Sequence, residues 1–135
     1  MNALFRFPNA RRHEPEIDAW LHLVPDPLAG IAQPCFALIR ACGEDVRELM
    51  HDGRPTACVG DAAFVYVDAF RAHVNVGFFR GAELMDPDTL LLGTGKYLRH
   101  VKLTPATAER VMPALATLIR TAYQDMRARL ETHGD

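Results

Sequence analysis

The order of apolar and polar positions divides the chain into helical ends around an extended middle. From about Glu14, the residues Ile17, Trp20, Leu21 and Leu23 recur at helical spacing. Glu14, Glu16 and Asp18 stand near the positive start of that helix, and Pro25 and Pro27 end it. A second helix is predicted over about Leu28 to Ala41, with Leu28, Ile31, Ala32, Cys35, Phe36, Ile39 and Cys42 on its buried side and Gly43 as its stop. Pro34 either kinks this helix or begins its main part anew.

Residues 44–51 fit a strand or one more helical turn, and the Asp52-Gly53 and Pro55 turn chemistry favours the strand. Val46, Glu48 and Met50 then share one face, opposite Arg47, Leu49 and His51. Another extended run follows over Thr56–Val59, and Gly60-Asp61 turns the chain into the main hairpin. With Phe70-Arg71 as its loop, Val67 meets Val74, Val65 meets Val76 and Ala63 meets Phe78 on an apolar face. The other face pairs Asp68 with His73, Tyr66 with Asn75 and Phe64 with Gly77. Met85 to Asp88 reads as a turn, with Asp86 or Asp88 capping a short helical segment through Leu92. Leu98 to Leu103 alternates again, placing Leu98, His100 and Lys102 opposite Arg99, Val101 and Leu103.

Thr104-Pro105 opens a C-terminal helical region that Pro113 is expected to divide into a short piece and a long one. Leu115, Leu118, Ile119, Ala122, Tyr123, Met126 and Leu130 form the stripe that covers the sheet. The pattern therefore predicts an α+β fold: an antiparallel sheet of about five strands, with N-terminal helices and a long C-terminal helix on one face. Residues 1–13 read as an N-terminal arm and residues 14–135 as a single domain.

Composition narrows the function classes. A formal net charge of −2 and a pI near 6.3 give no reason to expect nucleic acid. No apolar run is long enough to span a bilayer, and the first residues lack the apolar core of a signal peptide, so the expected setting is the cytoplasm, with no membrane partner. Cys35, Cys42 and Cys58 make no C-x-x-C and read as reduced thiols. Monomer and homodimer both stay open.

Gly93-Thr94-Gly95-Lys96 invites comparison with a phosphate cradle, but Leu90 and Tyr97 stand where a Walker A loop needs a glycine and a Ser or Thr. Gly93, Gly95, Lys96 and Arg99 remain as a candidate anion loop beside a plainer reading as a turn with solvated charges. The candidate binding face is the uncovered side of the sheet: Tyr66, Asp68, His73, Asn75, Phe79, His100 and Lys102. Two histidines and an aspartate there have the chemistry of a metal or proton site, while a solvent-washed polar face accounts for the same residues. Phe64, Tyr66 and Phe79 would be its apolar anchors for a protein partner. No Ser-His-Asp order, H-E-x-x-H or G-x-S-x-G occurs, and no catalytic residue is assigned.

The segment Phe70 to Leu103 resembles the YdhG-like bacterial domain of unknown function. It has a similar hairpin, a Phe-x-Gly-Ala-x-Leu turn, an Asp-Pro, a Leu-x-Gly-x-Gly-Lys loop and an Arg-His-x-Lys strand. The resemblance implies a frataxin-like layout and, because that family includes a frataxin-like iron chaperone, a role in intracellular iron handling. It carries no catalytic motif. His51 and Ala57 depart from the family at positions where aromatics are common. Iron favours clustered oxygen ligands, and the candidates are Glu14, Asp18, Glu44 and Glu48. The expected function is a non-enzymatic module that binds a protein or small ligand, with iron the only cofactor implied. The alternative is a small enzyme or anion-binding protein using the His, Asp and Lys residues of the open face.

Overall fold

A computed structural model describes residues 4–132. Two short helices, α1 (Pro15–Leu23) and α2 (Ala29–Arg40), precede a five-stranded antiparallel meander of β1 (Val46–His51), β2 (Arg54–Val59), β3 (Ala62–Ala69), β4 (Val74–Phe78) and β5 (Arg99–Leu103). A single helix, α3 (Ala108–Thr132), closes the chain. All three helices lie on one face of the sheet, as the sequence pattern predicts.

Local chemistry accounts for the ends of these elements. The Glu14 side chain caps α1, accepting from the Glu16 N–H at 3.0 Å. Asp52 (φ 52°) and Gly53 (φ 75°) both take the left-handed conformation that a two-residue hairpin requires between β1 and β2. Neither helix proline interrupts its helix. Pro34 and Pro113 face solvent, as do Gly30 and Glu109, whose carbonyls lose a partner, so water can satisfy them. The expected division of the C-terminal helix at Pro113 therefore does not occur.

The main hairpin departs from the expected register. Val67 pairs with Val76, Val65 with Phe78 and Asp68 with Asn75, and the loop lengthens to residues 70–73, closed by a 2.8 Å bond from Phe70 N–H to the His73 carbonyl. Phe70 and Arg71 are poorly suited to the left-handed conformations of a two-residue turn, so the loop takes two more residues. The slip is by two positions, so from Val65 onward each residue keeps its expected face.

A bulge makes the second departure. Ala57 pairs with Val65 but Cys58 with Ala63, which leaves Phe64 as the extra residue on β3. Phe64 therefore joins Val65 in the core under the helices, and Ala63 turns to the opposite face, reversing both assignments. A third correction concerns the stretch to Leu92, which forms no helix. A 3-10 turn occupies Gly81–Glu83 instead, and Thr89 adopts a φ of 54° that stops helical continuation. Asp86 caps no helix and instead pins this irregular stretch, accepting the Leu90 and Leu91 N–H groups at 2.9 Å each.

The main core fills the space between helices and sheet, with Phe36, Phe64, Phe78, Leu115 and Ile119 among its buried members. A smaller cluster of Leu49, Cys58, Ala63, Tyr66 and Phe79 lies on the other side of the sheet. It is roofed by the N-terminal arm. Ala63 N–H donates to the Phe5 carbonyl and Phe7 N–H to that of Asp61; farther along, Arg11 and Glu48 exchange a backbone pair at 2.9 and 2.7 Å. The arm thus crosses the outer face from the start of β3 to the free edge of β1, laying Phe7 and Ala10 over the small cluster. Among the described residues, no helix is long and apolar enough to cross a membrane.

Candidate functional site

The arm covers only part of the outer face, and the remainder gathers most of the residues singled out by the strand pattern. Two rows cross three strands there: Tyr66, Gly77 and His100 in one, and Asp68, Asn75 and Lys102 in the next. His73 sits in the hairpin loop with its ring stacked on Phe70 at 4.8 Å, close enough for its charge to act on His100. Phe79 does not belong to the open part. It is buried beneath the arm, with its ring 5.4 Å from that of Phe5.

Tyr66 supports the face from within and is not an anchor on it. Its ring occupies the space above Gly77, where an added β-carbon would overlap the ring's Cε2 and Cζ atoms. The Arg54 guanidinium covers the ring at 4.4 Å, and Phe79 meets it edge-on at 5.9 Å. Only 8% of Tyr66 is exposed, and Phe64 is in the main core, so the expected aromatic anchors are all enclosed. Burial raises the Tyr66 hydroxyl above its ordinary range, opposed by the charge of Arg54. Arg54 also approaches Asp68 at 3.8 Å, and Asp68 accepts the Ala69 N–H at 2.9 Å.

Two groups of the open part are unusual. Asn75 Oδ1 is buried without a hydrogen-bond partner among the described residues. A buried amide oxygen without a donor is costly, and it marks a place where an incoming donor would be favoured. The His100 imidazole is held below its ordinary range, first by burial and then by His73 and Lys102, so it stays neutral near pH 7. Its backbone is fixed by an exchange with Leu92 on the outer edge of β5, at 2.7 and 2.9 Å. Leu92 and Leu98 are exposed beside it.

The glycine-lysine loop is arranged around its own arginine. Arg99 Nη1 donates to the carbonyls of Gly95 and Leu98 at 2.5 and 2.6 Å, so the loop directs carbonyl oxygens toward the cation. Gly93 supplies a φ of 122°, and the Lys96 ammonium lies 5.4 Å from the Tyr97 ring.

Three of the four carboxylates proposed for iron are engaged elsewhere. Glu48, 2% exposed, receives Arg40 Nε at 2.6 Å and Nη2 at 2.9 Å, together with the Glu14 N–H at 2.9 Å. Arg40 Nη1 reaches Asp18 at 2.8 Å, and His13 Nε2 meets the other Asp18 oxygen at 2.7 Å. Hydrogen bonding to Arg40 holds the Asp18 carboxyl below its usual range, and Arg40 in turn is raised, first by its hydrogen bonds to Glu48 and then by Asp18. The Glu14 carboxylate caps α1, and Glu44 lies exposed before β1. Among the described residues, no three His, Cys, Asp or Glu side chains gather as a metal site.

Sequence reasoning missed two cations that turn inward, half-buried Arg40 and buried Arg80. The signal for Arg40 was available: alternation sets Glu48 on the same face as Val46, and a carboxylate facing the core requires a partner. Arg80, 3% exposed, stacks on Tyr97 at 4.1 Å and approaches Glu83 at 2.5 Å, at the break where β4 ends. No periodicity announces it. Comparison of the chain with family models, with curated proteins and with solved structures finds no match in any of the three.

Proposed function

We propose that the chain is a non-enzymatic binding module whose partner docks on the part of the outer sheet face left open by the N-terminal arm. The observation that carries this reading is the buried Asn75 Oδ1, without a hydrogen-bond partner among the described residues and set beside His100 and exposed Lys102. A partner that donates a hydrogen bond to Asn75 and offers a carboxylate to Lys102 would satisfy both. Leu92 and Leu98 provide an apolar rim of the kind that interfaces use.

The enzyme alternative needs a cavity enclosing the His73 and His100 rings, and the two adjoining clefts along α3 are lined by other residues. Iron handling, implied by the YdhG-like resemblance, draws no support from carboxylates already bound to Arg40. A ferrous and ferric titration tests it separately. The module reading goes with a reducing, cytoplasmic setting, because Cys35, Cys42 and Cys58 are free thiols that burial pushes up to about 12, 11 and 12.

The test compares capture of cellular partners by the wild-type chain and by a His100→Glu/Lys102→Glu variant. The same partners recovered in equal amount by both would overturn the proposal; loss from the folded variant supports it.

A further inference from the structure

On the helix side of the molecule, away from the sheet face, residues 85–90 lie across the middle of α3 and enclose a cleft of about 350 Å³. Met85, Pro87 and Leu90 form one wall and Ala114 and Leu118 the other, with the hydroxyl-bearing Thr117 and Thr121 along α3. This size and this lining, mostly apolar with a few polar groups, are those of small-molecule sites.

The charge around the cleft has one sign. Asp86 and Asp88 line it, and none of its lining residues is basic. Asp86 is already committed, since its two oxygens accept the Leu90 and Leu91 N–H groups and hold the wall in place. Asp88 is exposed and has no ion pair among the described residues. Past Asp88 and Leu90 the cleft continues into a shallower depression of about 530 Å³ along Arg110, Val111 and Pro113. Arg110 lines that depression together with Asp88 but is not part of the lining of the cleft itself. Met85, 83% exposed, is a flexible thioether able to fold over an apolar occupant.

We propose that this cleft binds a small hydrophobic amine, with its ammonium group facing Asp88 and its apolar body against Leu90, Ala114 and Leu118. An alcohol of the same shape gains the apolar contacts but not the ion pair. A carboxylate of the same shape meets Asp88 as a like charge. The site is independent of the sheet face, so either proposal can fail alone.

The experiment is a chemical-shift titration of the full chain with phenethylamine, 2-phenylethanol and 3-phenylpropanoate. The expected result is saturable shifts at Met85, Thr117 and Thr121, with the amine tighter than the alcohol by roughly two- to fivefold, as suits a solvent-exposed ion pair, and the carboxylate weakest. Asp88→Asn should remove the amine's advantage while leaving alcohol binding unchanged. Thr117→Phe, a surface change on the helix, should fill the cleft and abolish all three. No saturation with the amine up to its solubility limit would overturn the proposal. So would equal binding of the three probes, or an amine advantage that survives Asp88→Asn.

Discussion

The ring of Tyr66 occupies the space that a side chain at position 77 would need, so Gly77 is fixed by contact, not by backbone conformation. Substitution at this point would force the ring away from Arg54 and Phe79, which hold it at 4.4 and 5.9 Å. Gly77→Ala should therefore cost about 1–3 kcal/mol, the range for overpacking a filled site. In a Tyr66→Leu background the same change should cost clearly less, because the clash is gone. Urea denaturation of the four proteins measures the coupling; purely additive costs would contradict the contact.

The Glu48–Arg40 pair ties β1 to the end of α2, with Glu48 almost fully enclosed. Glu48→Ala leaves Arg40 facing an emptied site and should destabilise by about 3 kcal/mol or more. Asp18, on the same arginine, has its folded-state carboxyl below the usual value of 3.8, so the folded chain takes up that proton less readily than the unfolded one. Its contribution is complete above the ordinary aspartate range and fades as the pH falls through it. Asp18→Asn should therefore lower the urea midpoint at neutral pH and lose much of that effect at about pH 3. An equal loss at both pH values would rule out the ion pair as the cause.

These two cases indicate how much could be read from the chain. The Asp52-Gly53 turn, the alternation of Val74, Val76 and Phe78, and the α3 stripe are local signals, and each appears where expected. Alternation groups Glu48 with Val46, but its charge suggests a solvated edge, whereas it is buried against a partner on α2 that no local pattern connects to it. The bulge at Phe64 escaped because strict alternation assumes that a strand contains no extra residue. The hairpin slip escaped because shifting by two preserves the faces, so hydrophobic pattern cannot distinguish the registers. For the site, Tyr66, Asp68, Asn75, His100 and Lys102 were read onto one face correctly. The arm that roofs Phe79 could not be foreseen from a segment without periodicity.

His100 offers a direct reading of the open face. Burial, His73 and Lys102 all oppose its protonation, so the imidazole should titrate below 6.5 by NMR. In the unfolded chain it protonates more readily, so stability from this group is full above that range and declines as the pH drops through it. His73→Ala and Lys102→Ala should each move the His100 titration upward. If neither does, the electrostatic contact across the face is absent.

The arm makes a further prediction through Cys58, which is buried beneath it and whose thiol is pushed up to about 12. Removing residues 1–10 should expose Cys58 to a thiol reagent while Cys35, in the main core, remains protected. The labelling site is identified by peptide mass. Modification of Cys58 at the wild-type rate would mean that the arm does not shield it.

We propose that a partner binds the uncovered part of the sheet around Asn75. The most direct measurement of this is an amide and side-chain shift map of the labelled chain with a purified captured partner. The expected shifts concentrate at Asn75, Gly77, His100 and Lys102, with an upward move of the His100 titration in the wild-type chain and loss of the Asn75 and Gly77 shifts in the His100→Glu/Lys102→Glu variant. Shifts confined to the helices, or a complex that forms unchanged with that variant, would contradict it.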